Sequence, residues 1–175
     1  MTVSDFIKTV FLQEYKTVIQ HPYVAFSLIF NSIELLGKCL NDDSDFDSGK
    51  PGVNFKKAIK ELFDSKYHDL HLFDPMRNGF AHTFRPKKNR KIRLKSRSEL
   101  ETLNLNIPNL ANTSDGQQIL FIEDFYEDFS NACNKIIDKI KSGEIQHPKL
   151  HKPFLEFKSY ELSVDNGEVV FVLNS

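Results

Sequence analysis

The 175-residue chain has no tryptophan, only two cysteines and no uninterrupted apolar run long enough to cross a bilayer. The last two each close off a class of protein, whereas the lack of tryptophan carries no functional content. Two cysteines cannot build a disulfide framework, and Cys39 and Cys133 both fall on apolar faces of expected helices, the usual setting of buried free thiols. That favours a reducing compartment, so the expected location is cytoplasmic. The most apolar stretch, Tyr23 to Leu40, is broken by Asn31, Glu34 and Lys38, which argues against a membrane helix. Met1 to Gln20 carries acids and lysines throughout and reads as neither signal peptide nor anchor. A formal net charge of −1 gives no global sign of a polyanionic partner. No Gly-rich phosphate loop, Ser-His-Asp grouping or Cys-His nucleophile pair stands out. Glu123, Asp124, Glu127 and Asp128 read as the acidic first turn of a helix, not as paired catalytic carboxylates.

What is present is core material: 40% apolar residues and sixteen phenylalanines, enough for one domain over 1–175. Ser4 is placed to cap a first helix that runs to about Gln20 and ends at His21-Pro22. A second helix is predicted from Pro22 to about Asn41. It is apolar nearly all round except for the stripe Ser27, Asn31, Glu34 and Lys38, which makes it the central helix of a bundle. Residues Asn41 to Gly52 read as a loop, and a third helix is expected over Asn54 to about Lys66. A last long helix, about Glu123 to Ser142, stops at Gly143. Between the bundle helices, residues 86–122 read as a β-hairpin or loop insertion, with alternating Ile92 to Lys95 and a second short strand at Gln118 to Ile122. Asp165-Asn166-Gly167 marks the turn of a C-terminal hairpin over about 154–173, which is placed to pair with the insertion strands.

The densest chemistry lies in Arg77-Asn78-Gly79-Phe80-Ala81-His82. Asp74 before Pro75 is a good helix start, with the carboxylate as cap and proline at the first helical position. On such a helix Phe73, Met76, Phe80 and Phe84 share an apolar face, while Arg77, Asn78, His82 and Arg85 fall on the other side. Arg77 and His82 stand roughly 140° apart and flank a face between them. Asn78 and His82 are i,i+4 neighbours, so the amide can bond one ring nitrogen and set the tautomer presented by the other. A guanidinium and an imidazole so placed are what RNA cleavage without a metal requires. Glu34 is the obvious acidic partner of Arg77, either as a structural salt bridge or as a support that aims the guanidinium, and Asn31 lies on the same stripe.

This pattern, Arg, a polar residue, three more residues and His on a helix preceded by two long apolar helices, resembles the HEPN superfamily (higher eukaryote and prokaryote nucleotide-binding domains). The resemblance covers about residues 1–142 apart from the insertion. It implies a mainly α protein: an antiparallel bundle of four to five helices, here with a small β-hairpin insertion and a C-terminal β-hairpin. It also implies a homodimer with two motifs lining one cleft. The activity implied is that of a metal-independent endoribonuclease in a toxin, defence or RNA-processing role, in which the 2′-hydroxyl attacks the adjacent phosphate. His82 would be the general acid/base, Arg77 would stabilise the phosphorane and Asn78 would orient the histidine. No cofactor is implied; a protein antitoxin or a nucleotidyltransferase-like partner is compatible. A catalytically inactive HEPN-like module that binds RNA, a nucleotide or a partner protein fits the same residues.

The second functional feature is the run from Arg85 to Arg97, with no acid. Arg85, Lys87, Lys88, Arg90, Lys91, Arg93 and Lys95 form a candidate phosphate-tracking patch beside the motif, one that would supply affinity without sequence preference. The bland alternative is a solvated strand. Tyr67, Phe84 and Tyr126 are at positions from which they could stack on bases, although such spacings usually mean core. His68 and His71 near Asp69, and His147 with His151, lack the further ligands a metal site needs, and no metal is expected.

Overall fold

The computed structural model describes residues 1–41, 46, 50–83, 85–87, 91–101, 105–154, 160–165 and 168–173. Among these the chain is mainly helical, with a small two-stranded parallel sheet and a separate C-terminal hairpin. Helix α1 spans 3–18, α-helical at Val3–Phe6 and Tyr15–Val18 and π-helical over Ile7–Glu14 between them. Its cap is Thr2, not Ser4. The Thr2 hydroxyl accepts from the Asp5 amide at 3.2 Å while the Asp5 carboxylate accepts from the Thr2 amide at 3.2 Å, a reciprocal box that Ser4 cannot form from inside the first turn.

Helix α2 (Pro22–Cys39) is the centre of the molecule, packed against α1, α3 (Pro51–Leu62), the motif helix α4 (73–83) and the long helix α6 (Ile122–Lys141). Its apolar circumference explains the position, since Phe26, Phe30, Ile33 and Leu36 all need partners and all are buried. Phe30 sits between Phe125 of α6 and Phe80 of α4, with ring centroids 5.0 and 6.0 Å away. The phenylalanine surplus thus ties the motif helix to the core. At Gly37 α2 and α3 approach so closely that an added Cβ would lie 1.9 Å from the Asn54 carbonyl oxygen. Helix α3 begins at Pro51, three residues before the sequence boundary, because Lys50 takes the cap position and proline suits the first turn. It ends at Leu62, and the chain continues through a 3-10 helix at Ser65–Leu70. Residues 42–45 and 47–49 of the expected loop lie outside the described residues.

The insertion is not a hairpin. Strands β1 (Ile92–Lys95) and β2 (Gln118–Phe121) pair in parallel, with Ile92 opposite Gln118 and Lys95 opposite Phe121. Parallel neighbours need a crossover of about a dozen residues or more, and 96–117 is long enough; its described residues include the short helix α5 (Ser98–Glu101) and an irregular stretch over 105–117. The period of two marked both strands but carried no information about their relative direction. The tight turn is elsewhere: the Thr113 amide donates to the Gln117 carbonyl at 2.7 Å, with Gly116 at φ 75°, just before β2. After α6, Gly143 adopts φ 75° at the helix end, and a short helix α7 (Pro148–His151) follows. Strands β3 (Tyr160–Asp165) and β4 (Glu168–Leu173) form an antiparallel hairpin with Asp165 opposite Glu168. They make their own two-stranded sheet and do not join β1 and β2, so the expected single antiparallel sheet is replaced by two separate pairs. Cys39 and Cys133 are buried and unbridged.

Candidate functional site

Helix α4 departs from the α-helical wheel in its first half. Residues Phe73–Asn78 are π-helical, with the Arg77 amide reaching the Leu72 carbonyl at 3.3 Å, and only Gly79–Thr83 is α-helical. Leu72 takes the cap position, so Asp74 lies inside the first turn and does not cap the helix. Its carboxylate instead accepts from Lys87 at 2.6 Å and from the Asn78 amide at 3.4 Å. The Lys87 ammonium first, and Asn78 after it, hold the Asp74 carboxyl below its usual range.

Met76 and Phe80 are buried beneath the helix, and Phe84 lies outside the described residues. Arg77 and Asn78 are half-buried, whereas His82 is exposed. The Arg77 guanidinium turns inward: Nη2 donates to Glu34 Oε2 at 2.5 Å, and the two side chains are 17% and 10% exposed. Glu34 also meets Lys38 at 3.5 Å, so one carboxylate of the central helix receives two cations. Arg77 Nη1 donates to Asn78 Oδ1 at 3.3 Å, the guanidinium lies 5.8 Å from the Phe73 ring centroid, and Nε is buried with no hydrogen-bond partner among the described residues. Asn31 is not part of this cluster; its amide donates to the Ser27 carbonyl of its own helix at 2.7 Å.

The Asn78–His82 bond expected from i,i+4 spacing is absent from the described contacts. The wider π turn leaves the Asn78 side chain between Asp74 and Arg77, which take its donor and its acceptor. His82 accordingly has no hydrogen-bond partner among the described residues. Gly79, in the middle of the motif, has a positional reason that its sequence neighbours do not reveal. The chain folds back over it, so that a Cβ there would lie 2.6 Å from the Arg85 carbonyl oxygen and 2.8 Å from the Lys87 nitrogen. The Lys87 amide closes this turn by donating to the Pro75 carbonyl at 2.9 Å. The contacts that fasten Lys87 to Asp74 and Pro75 span a turn of irregular chain, and no spacing rule signals them.

The rest of the basic run is largely answered by acids. Arg93 pairs with Asp115 at 2.6 Å and with the Gln117 side chain, and Lys95 pairs with Glu99 at 2.5 Å. The Arg97 guanidinium packs on Phe121 and pairs with Asp124 at 2.6 Å, while the Glu123 carboxylate accepts from Ser96 and from the Arg97 amide. Arg85 and Lys91 are exposed and have no ion-pair partner among the described residues; Lys88 and Arg90 lie outside them. Tyr67 is fully buried, with its hydroxyl donating to Asp128 at 2.6 Å, and the Tyr126 hydroxyl donates to the Leu12 carbonyl at 2.9 Å, so both serve the core.

A cavity of about 540 Å³ opens between α3, the 3-10 helix and the start of α4, with Phe73 and Asp74 on its edge. It borders the motif helix at the end opposite His82.

The molecule is therefore a mainly helical protein whose motif helix offers an exposed imidazole and an anchored guanidinium. No family model matches the chain, and neither a curated protein nor a solved structure is found to be similar to it. No helix among the described residues is long and apolar enough to cross a membrane.

Proposed function

We propose that the chain is a HEPN-like, metal-independent endoribonuclease acting as a homodimer. The observation that carries this reading is the asymmetry of the motif: His82 is exposed and unbonded among the described residues, while Arg77, five positions earlier, is held from beneath by Glu34. In the proposed reaction an imidazole removes the 2′-hydroxyl proton and the 2′-oxygen bonds to phosphorus. The bond to the 5′-oxygen breaks, that oxygen takes a proton from an acid, and a cyclic phosphate remains. A homodimer supplies two imidazoles for the two proton transfers. A guanidinium has five N–H donors, so bonds to Glu34 and Asn78 leave hydrogens on the Nη atoms for the developing phosphorane charge. Asn78 contacts Arg77, which makes it a positioning residue for the guanidinium in this reading. A protein antitoxin or a nucleotidyltransferase-like partner covering the cleft belongs to the same proposal.

The inward turn of Arg77 favours a second reading, an HEPN-like module that binds RNA, a nucleotide or a protein without cutting. An RNA cleavage assay in EDTA separates the two, comparing wild type with His82→Ala on single-stranded and transfer RNAs. Cleavage that survives chelation, leaves cyclic phosphate ends and vanishes in the variant supports the ribonuclease. RNA retained but uncut by wild type supports the module, and neither binding nor cleavage rejects both the ribonuclease and an RNA-binding module.

A further inference from the structure

The cavity beside the motif helix combines an apolar interior with a cationic rim, and neither feature is used by the reading above. Ile59, Leu72 and Phe73 contribute its apolar wall. Lys56 and Lys60, one turn apart on α3, line it with His68 and His71; all four are exposed, and their side chains have no hydrogen-bond or ion-pair partner among the described residues. His71 holds φ 48°, the left-handed conformation that lets the chain reverse between the 3-10 helix and α4 and so shapes this edge. Asp74 is the single carboxylate among the lining residues, and it is already engaged by Lys87. Uncompensated positive charge around an apolar hollow attracts a ligand of the opposite design.

We infer that this cavity is a binding site for a small amphipathic anion, an acyl or aryl body carrying a carboxylate or phosphate head. The head pairs with Lys56 and Lys60 at the mouth, and the body lies against Ile59, Leu72 and Phe73. A nucleobase fits less well. Tyr67, a lining residue, commits its hydroxyl to Asp128 at 2.6 Å and to Asn109 at 3.3 Å, neither of them a lining residue, so it offers the edge of a base no free partner. The volume of about 540 Å³ is within the range of small-molecule sites and well above what an eight-carbon chain fills. Binding requires neither Arg77 nor His82.

Titration of the full chain with octanoate, octyl phosphate, octanol and adenosine monophosphate, followed by calorimetry and by backbone amide shifts, tests this. Octanoate or octyl phosphate should bind at least tenfold more tightly than octanol and shift amides of α3 and the start of α4. Lys56→Ala/Lys60→Ala should lose at least tenfold of that affinity with an unchanged thermal midpoint, and His82→Ala should bind as wild type does. Octanol binding as tightly as the anions, adenosine monophosphate binding more tightly than either, an unaffected double variant, or no binding of any probe would each overturn the assignment. None of these outcomes bears on RNA cleavage.

Discussion

Two regions of this molecule are rich in cations, and they differ in the opposite way from what the sequence suggests. Residues 85–97 form a conspicuous basic run without an acid, yet in three dimensions Asp74, Glu99, Asp115 and Asp124 come to Lys87, Lys95, Arg93 and Arg97. Lys56 and Lys60, with His68 and His71 beside them, form no run, yet they line one cavity whose single carboxylate among the lining residues, Asp74, is engaged by Lys87. Charge density along a chain is a different quantity from charge density in space, because folding brings in acids from outside the run, Asp115 to Arg93 and Asp124 to Arg97 from more than twenty positions away. Arg77 is a third case, a cation drawn inward by Glu34.

Substitutions that separate these cases differ widely in expected size. His82→Ala should reduce RNA cleavage roughly a hundred- to ten-thousand-fold, the usual contribution of a general acid/base, while leaving stability within about 0.5 kcal/mol because the side chain is exposed. Initial rates and chemical denaturation measure the two parts, and a large stability loss would mean that His82 is structural. Arg77→Ala should cost about 3 kcal/mol, since it strips Glu34 of its closest partner in a largely buried pair. Replacing both residues by apolar ones, Glu34→Leu with Arg77→Met, should recover most of that stability but none of the cleavage. Recovery of cleavage would remove the guanidinium from the mechanism.

Within the basic run the expected effects are smaller. Asp115→Asn together with Glu99→Gln removes the charged partners of Arg93 and Lys95 at little cost in stability, as these pairs are half-exposed and screened by solvent. If RNA tracks this surface, binding should strengthen and its logarithmic salt slope should steepen by roughly 1.4 on a single strand. An unchanged slope would leave the run a solvated strand. The same pairs predict acid behaviour. Hydrogen bonds from Lys95 to Glu99 and from Thr113 to Asp115, with the Arg93 charge adding at Asp115, hold these carboxyls below their ordinary values of 4.5 and 3.8. Depressed folded-state values contribute stability that is present above the unfolded values and lost as pH falls through the folded ones. Side-chain carboxyl titration by NMR should therefore place both midpoints below those figures, and midpoints at or above them would show that the run is not neutralised.

The helices were largely legible because their evidence is local. The apolar circumference of Pro22–Cys39 and the apolar face of Ile122–Lys141 follow from periodicity, and β3 pairs with β4 on either side of the Asp165-Asn166-Gly167 signal, of which Asn166 and Gly167 lie outside the described residues. Periodicity also placed β1 and β2 as strands but could not orient them, since parallel and antiparallel strands alternate alike. The motif was legible as residues and less so as geometry. The 100° wheel assumed a bond from Asn78 to His82, whereas the π-helical first half of α4 and the carboxylate of Asp74 put Asn78 elsewhere. Thr2 displaced Ser4 as a cap for a similar reason, because capping depends on which hydroxyl and carboxylate face one another.

The sequence by itself determined which segments must be buried, where most helices run, and that Arg77 and His82 share one helix, because burial and helix propensity act over a few neighbouring residues. Only the tertiary structure decided that Arg77 points to Glu34, that the basic run meets its acids, and that Lys56, Lys60, His68 and His71, unpaired among the described residues, line one cavity. Most of those outcomes depend on Coulombic and steric contacts between residues distant in the chain, which exist only once α2, α3 and α4 have packed and β1 has met β2 and α6; Lys95 with Glu99, an i,i+4 pair, is the local exception.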